Sequence, residues 1–458
     1  MKLSSPAQTE EMSRVAMRAS AISVVVILYL GSLLSFGDRV IFGMVIKPLK
    51  ESLDFTSTEI GLLAGAAFAL SYALFSPIAG WAVDRFSRRV VFAGAIGFWS
   101  LMTLFSGLAS DFTTMSLARI GLGVGESFLT PLAVSLISDA IAPDRRARII
   151  AIYASSSAMG IFVALLAGGT LIGELSGTAS VALPIIGSIE PWRGLFVAAA
   201  IPGFVLAVSV LAFLREPPRS SMGIAVDPVG EKAQISDFLK RYWHLILSIY
   251  VGGCTIQLAG NSWITWQVPY FEGVFGWSGA KASIVLAFTS GIAAVAGCFS
   301  TGALVQFFKR RGHADASLRA IVIGGVSCNV FLIAALLLRG AEATVACLCV
   351  SMFWLYFPIA GMFNVMSEAF PASVRGRLAG LQVLAVGIVT NSVGQLLVGY
   401  LSDHFSGDGG GLRTAMIITT CVSLFVGLAV LVPGFRVYRR LMSEQLNAVR
   451  LSSLADGV

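Results

Sequence analysis

Four charged side chains, Asp38, Arg39, Arg119 and Glu126, stand inside stretches that are otherwise apolar enough to cross a bilayer. At the centre of a membrane helix each costs about 2.5–3.5 kcal/mol on the insertion scale, so charges retained there usually line a cavity or carry protons. Two carboxylates can take up and release protons, and two guanidiniums can pair with them or with an anionic substrate. Arg119 and Glu126 lie about two turns, roughly 10.5 Å, apart on one helix and so share a face. Asp38 falls about 13 Å, and Arg119 about 12 Å, from the same end of their helices at 1.5 Å per residue, so these two are expected to meet, with Glu126 nearer mid-membrane. A carboxylate beside an arginine and one in apolar surroundings hold their protons with different strength, which suits proton coupling.

These residues need a membrane fold to position them. The 458 residues are 56% hydrophobic and 12% charged, with a mean hydropathy of +0.83, far too apolar for a soluble surface. A span needs about 20 mostly apolar residues. Twelve such stretches centre near Leu30, Ala69, Phe98, Leu129, Val163, Val205, Thr255, Ile292, Phe331, Phe357, Leu384 and Val422. The fold class is therefore an all-α membrane protein of twelve transmembrane helices. The first apolar run reads as an uncleaved span, because it continues through Asp38 to Lys47 and a second begins soon after.

Lysine and arginine collect in cytosolic loops, and their distribution places both termini in the cytosol. That asymmetry explains the net charge of +7, so no nucleic-acid partner is needed. The six cysteines and three histidines show no metal-ligand or redox spacing, and no metal or cofactor is expected.

The longest polar interruption, Arg215 to Arg241, divides the spans six and six. The expected domains are a cytosolic tail over 1–19, a bundle over 20–215, a linker over 216–241, a second bundle over 242–436 and a cytosolic tail over 437–458. The stretch from Ile235 to Arg241 could lie on the membrane as an amphipathic helix. A faint repeat supports duplication: Ser138-Asp139-Ala140 followed by Arg146-Ala147-Arg148 recurs with the same spacing as Ser367-Glu368-Ala369 followed by Arg375-Gly376-Arg377. Gly80-x-x-x-Asp84 before Arg88-Arg89 returns, degraded, as Gly302-x-x-x-Gln306 before Arg310-Arg311.

The loop Gly80-Trp81-Ala82-Val83-Asp84-Arg85-Phe86-Ser87-Arg88-Arg89 resembles the signature loop of the major facilitator superfamily, whose two pseudo-symmetric six-helix halves form around a central cavity. The resemblance implies a cytosolic gate built from Gly80, Asp84, Arg85, Arg88, Arg89, Asp139 and Arg146. Gly80 would let two helices approach closely, Asp84 would cap a helix N-terminus such as that of span 11, and the arginines would pair with Asp139. The plainer alternative is that the arginines anchor helix ends. Arg119-x-x-x-Gly123-x-Gly125-Glu126 likewise resembles the fourth span of that superfamily, and its alternative is a purely structural ion pair. Span 5, with Gly160, Gly168 and Gly169, lacks the Gly-Pro pair of drug antiporters and reads as helix packing.

If spans 1, 4, 7 and 10 line the cavity, as the resemblance implies, one wall is charged. The other offers Asn261 and Trp263 from span 7, and Trp354 and Tyr356 from span 10. An amphipathic substrate would fit between them, while the alternative for these aromatics is an interfacial belt.

Over about the first third of the chain, Asp38-Arg39, the loop from Gly80 to Arg89, Phe98-Trp99-Ser100-Leu101 and Ala118 to Glu126 look like the Spinster family of lipid transporters. Ser35-Phe36-Gly37 departs from the Asn-Tyr-Met that often precedes the Asp-Arg pair there. The resemblance implies a monomeric, proton-linked carrier of lysophospholipids or sphingolipids in the plasma (inner) membrane. Asp38 and Glu126 would couple protons, and Arg39 and Arg119 would bind substrate or form charge pairs. The alternative is a sugar-acid or organic-anion symporter of the hexuronate and anion:cation type, which shares the Asp-Arg pair and the Arg-to-Glu spacing. Sodium could replace protons in either reading. A lipid-processing enzyme finds no support, because nucleophile and metal motifs are missing, and with no nucleotide-binding motif the energy must come from gradients.

Overall fold

The computed structural model describes residues 6–178, 180–183, 187–219, 240–370, 372–405 and 410–455. Among them are twelve helices long and apolar enough to cross a membrane. Spans 1–6 are Ala21–Met44, Ser57–Arg85, Arg88–Leu108, Phe112–Ala140, Arg148–Leu175 and Pro191–Phe213. Spans 7–12 are Lys240–Phe275, Gly279–Arg310, Ala316–Leu337, Ala341–Met366, Gly380–His404 and Gly411–Ser443. Each contains one of the twelve centres expected from hydropathy. Helix is the local solution because hydrocarbon offers backbone N–H and C=O groups no partner outside the segment.

Local signals set the ends. Thr56 and Glu59 form a capping box at the start of span 2, and Asp111 and Thr114 form another ahead of span 4. Inside the spans the helices are less regular than apolar runs suggest. Five-residue π-helical segments interrupt span 2 at Leu63–Ala67, span 7 at Ser248–Gly252 and span 8 at Ala287–Gly291, and a longer one occupies Val386–Val393 of span 11. Such segments are frequent at functional sites.

The terminal segments are helical. One helix runs from Pro6 through Met44, and the last runs from Gly411 to Ala455 without a break at 436. A short hairpin pairing Val181–Leu183 with Gly187–Ile189, between spans 5 and 6, was absent from the hydropathy reading. Most of the linker, including all but Lys240 and Arg241 of its expected surface helix, lies outside the described residues.

Contacts divide the chain into two compact units. Unit 1 comprises Met1–Asp54, Ala67–Gly223 and Gly279–Ile284, and unit 2 comprises Phe55–Ala66, Ile224–Ser278 and Val285–Val458. The start of span 2, Phe55–Ala66, belongs to unit 2 and the start of span 8, Gly279–Ile284, to unit 1.

Unit 1 closes around Leu28, Phe92, Ile96, Trp99, Leu132 and Val210. With lipid outside as apolar as the core, packing rests on close backbone approach at small residues. A Cβ on Gly123 would strike Ser71 Oγ and the Phe68 carbonyl, and one on Gly160 the Leu33 carbonyl. The close approach expected at Gly80 is not made among the described residues, where a Cβ would meet nothing within 4 Å. Unit 2 has its own core around Leu245, Ile249, Ile256, Ile321, Met362 and Leu431. There, Gly61 and Gly399 bring spans 2 and 11 into backbone contact at Gln395 and Ser57.

Candidate functional site: a buried ionic cluster

Span 1 presents Ser35 and Arg39 one turn apart, and both reach Glu126 at the bend where the first helical segment of span 4 ends. Ser35 Oγ donates to Glu126 Oε2 at 2.6 Å, while Arg39 donates to the same oxygen from Nη2 at 2.7 Å and Nε at 3.2 Å. The other oxygen, Oε1, is buried and has no hydrogen-bond partner among the described residues. Three donors on one oxygen and none on its twin make a lopsided carboxylate. A buried acceptor left unsatisfied costs about 1–3 kcal/mol, more when charged. Glu126 is 0% exposed and the Arg39 side chain 27%, so the pair has one solvated edge.

The second arginine is held differently. Arg119 is buried and its guanidinium lies 4.5 Å from the Phe42 ring centroid and 5.6 Å from that of Phe68. Arg39 lies 4.5 Å from the same Phe68 ring and 4.7 Å from Phe36. Phe68 therefore sits against both cations, and cation–π contact contributes about 0.5–2 kcal/mol apiece. Asp38, one residue before Arg39, points about 100° away around the helix, as the α-helical repeat demands. It accepts a 3.1 Å hydrogen bond from Thr103 of span 3 and is 7% exposed. Arg39 and Glu126 thus form a hydrogen-bonded ion pair between spans 1 and 4, a pairing that the sequence did not single out. Spacing along one helix could not reveal a partner contributed by another.

The signature loop is held by a buried arginine. Arg88, 1% exposed, donates to Asp139, to Ser135 Oγ at 3.1 Å, to Glu216 Oε1 at 3.1 Å and to the Pro217 carbonyl. Partial burial opposes ionisation of Glu216, but hydrogen bonds from Ser87 and from the Arg88 backbone and side chain outweigh it and hold its carboxyl below the usual range. Arg219 donates to the carbonyls of Val83, Asp84 and Phe86, covering the end of span 2. Arg146 closes the end of span 4 through the carbonyls of Ile141, at 2.8 Å, and Ser138, at 2.6 Å. Asp84, Arg85 and Arg89 are exposed, with Arg85 near the Trp81 ring. The linker residues Glu216 and Arg219 had no motif to mark them.

The internal repeat is visible as chemistry. At the end of span 10 Glu368 pairs with Lys309 at 2.7 Å, as Asp139 at the end of span 4 pairs with Arg88. Alignment of the repeat pointed to Arg310, and the neighbouring lysine takes that place. A further echo was legible and missed: Gly399-x-x-x-Asp403-His404-Phe405 repeats the pattern Gly80-x-x-x-Asp84-Arg85-Phe86. Within unit 2, Asp403 accepts hydrogen bonds from the backbone N–H groups of Ser57, at 2.9 Å, and Thr58, at 2.7 Å, and from Thr58 Oγ1 at 2.6 Å. It caps the start of span 2.

Of the residues expected on the second wall, Asn261, Trp354 and Tyr356 are partly buried in unit 2 and Trp263 is fully buried. Asn261 donates to Asn391, and Gln395 donates to Thr265 at 3.0 Å, forming a polar seam between spans 7 and 11. Trp263 is 0% exposed, packed edge-on to Tyr270 and Phe271, and its indole N–H and the Tyr270 hydroxyl lack partners among the described residues. Trp354 is half-buried against Phe353 and Phe357, and Tyr356 is half-buried beside it.

Comparison with known proteins places this arrangement in context. The model of the Major Facilitator Superfamily matches residues 28–390. The chain is 24% identical to a hexuronate transporter of Bacillus subtilis, over 89% of this chain and 93% of that one. It is 27% identical to protein spinster homolog 1 of Xenopus tropicalis, over 55% of this chain and 45% of that one. A solved structure described as a bacterial homologue of the human lysosomal transporter Spinster, inward-facing and unoccupied, superposes with a TM-score of 0.78. That pair is 25% identical and the match covers 92% of this chain and 98% of the other.

Proposed function

The chain belongs to the Major Facilitator Superfamily and is a multi-pass membrane transporter rather than an enzyme, and we propose that it moves an amphipathic, lipid-like substrate coupled to protons. The substrate class is lysophospholipid or sphingolipid, and the mechanism is alternating access. The observation that carries the coupling assignment is Glu126, fully buried, with every donor on Oε2 and Oε1 left bare. A proton on Glu126 would weaken its hold on Arg39, and the freed guanidinium could then engage an anionic headgroup. Deprotonation would restore the pair and release the substrate. Asp38, held by Thr103, is the second acid of this cycle, and Arg119 supplies a fixed positive charge between aromatic rings. In unit 2, Trp354, Tyr356 and Asn261 are the proposed contacts for the substrate's apolar part and polar shoulder, and the Trp263 indole N–H has no hydrogen-bond partner among the described residues. The Arg88–Asp139–Glu216 network, with Arg146, would brace the cytosolic gate, and Asp84, Arg85 and Arg89 remain exposed for its closure.

The likeness to spinster homologues in sequence and to the Spinster-related structure in fold supports the lipid reading. A second reading, a proton-coupled sugar-acid symporter, is favoured by the hexuronate transporter's match along 89% of the chain and by the partly solvated Arg39, a ready carboxylate partner. Purified protein in liposomes, offered lysophospholipid, sphingoid lipid or glucuronate, separates them. Lipid movement that responds to a pH gradient supports the first reading, and glucuronate uptake with no lipid movement replaces it with the second.

A further inference from the structure

Unit 1 carries a hollow on the side of span 1 away from the Arg39–Glu126 pair. An apolar groove of about 710 Å³ runs between spans 1 and 6 past Ile22, Val26, Leu30, Val205 and Phe213. A narrower slot of about 170 Å³ lies between spans 1, 5 and 6, walled by Gly37, Gly160, Ala164 and Ala199, and Asp38 is on its wall. Leu33, Leu34 and Pro202 line both, so groove and slot form one crevice. Its outer part is open: Ile22, Val205 and Phe213 are 65%, 60% and 70% exposed, on helices whose exposed apolar faces meet lipid. Its inner part ends at the Asp38 carboxylate, which accepts a hydrogen bond from Thr103 on Oδ2. No other residue lining groove or slot is ionisable.

We propose that this crevice is a lateral binding site for a slender apolar molecule ending in an amine, such as a long-chain alkylamine, with its chain between spans 1 and 6 and its nitrogen at Asp38. Apolar walls with one convergent polar group are the usual construction of a small-molecule site. The glycines and alanines leave a slot too narrow for a bulky headgroup. From Ile22 to Asp38 span 1 rises about 24 Å at 1.5 Å per residue, the reach of a long chain. Asp38 chooses the head: an ionised carboxylate is acceptor-only and pairs with an ammonium, whereas an anionic head would set two like charges together in low dielectric. The neighbouring charges that act on Asp38, namely those of Arg39, Arg119 and Glu126, line neither groove nor slot. A neutral amine can enter from the bilayer and take the carboxyl proton in place, so that the N–H bond forms as the O–H bond breaks and both charges appear together as a pair. The site shares Asp38 with the proposed transport cycle but requires neither a gradient nor a movement of the protein, so binding there is tested without transport.

The test uses full-length protein in lipid nanodiscs without a pH gradient. Dicyclohexylcarbodiimide, an apolar carboxyl reagent that partitions into bilayers, is followed by mass spectrometry at Asp38, and a water-soluble carbodiimide serves as comparison. The apolar reagent is expected to label Asp38 and the soluble one to leave it intact. Dodecylamine is expected to slow labelling about tenfold, while dodecanol and dodecyl sulfate at equal concentration leave the rate within about twofold. Ala199→Trp, which fills the slot, is expected to remove both labelling and protection. Should that variant fail to fold, Val205→Trp narrows the groove from its lipid-exposed wall without entering the core. Labelling that ignores dodecylamine, protection by dodecanol equal to that by the amine, or labelling undiminished in the folded plug variant would each overturn the proposal.

Discussion

Replacing Arg39 with glutamine removes two donors from Glu126 Oε2 and leaves that fully buried oxygen with Ser35 alone. Removing one partner of a buried ion pair costs about 3–5 kcal/mol, because the surviving charge is stranded. Arg39 is 27% exposed, and solvent screening moves the expected loss toward the lower end, about 3 kcal/mol. Glu126→Gln should cost less, about 1 kcal/mol, since an amide oxygen still accepts from Ser35 and no charge is buried. If Arg39 and Glu126 act as a unit, Arg39→Gln combined with Glu126→Gln should be close to Glu126→Gln alone, giving a coupling energy of roughly 3 kcal/mol. Equilibrium unfolding of the four proteins in mixed micelles, with unfolding checked for reversibility, measures the cycle. Additive losses, with a coupling below about 0.5 kcal/mol, would refute the reasoning that the pair is desolvated and mutually dependent.

Removing the span 2 cap with Asp403→Ala should cost about 0.5–2 kcal/mol locally and accelerate amide exchange at Ser57 and Thr58, read by hydrogen exchange. Unchanged exchange there would mean the carboxylate does not hold that helix end. Glu216 has a folded-state proton affinity below the ordinary carboxylate range, so its contribution to stability should be complete above the ordinary value near pH 4.3 and fade as pH falls through the lowered one. Glu216→Gln should flatten that part of the stability–pH curve, and an unaltered slope would contradict it. Gly160→Leu should block folding by driving a side chain into the Leu33 carbonyl, whereas Gly80→Ala, with open space at its Cβ, should stay within about 0.5 kcal/mol of the parent. Yields from detergent extraction and thermal unfolding report both, and a destabilised Gly80→Ala would show that this glycine is closely packed after all.

Composition and hydropathy are enough to place twelve spans, because the bilayer demands length and apolarity and little else. Asp38, Arg39, Arg119 and Glu126 are conspicuous for the same reason: charges are costly where they sit. What hydropathy does not encode is direction around each helix. Consecutive residues diverge by about 100°, so Arg39 turns to Glu126 of span 4 while Asp38 turns to Thr103 of span 3. The motif from Gly80 to Arg89 disclosed a site for Arg88 and Asp139 but not the linker carboxylate and arginine that complete it. Those contacts are made by Glu216 and Arg219, polar residues in a polar segment, where composition has nothing to contrast them with. The π-helical interruptions leave no mark in hydropathy, since an inserted residue changes the register of a ladder and not the apolarity of the run. The cap at Asp403 was recoverable, because Gly399-x-x-x-Asp403 copies the spacing of the loop after span 2.

Central to the proposed function is Glu126, the carboxylate whose protonation is tied to substrate movement. Substrate-induced proton flux into liposomes carrying an entrapped pH dye, compared between the parent protein and Glu126→Gln, measures this directly. Lysophospholipid added to the parent should move protons, and the variant should retain lipid exchange while losing the proton signal. A full proton signal from the variant, with lipid movement still driven by the pH gradient, would contradict the account.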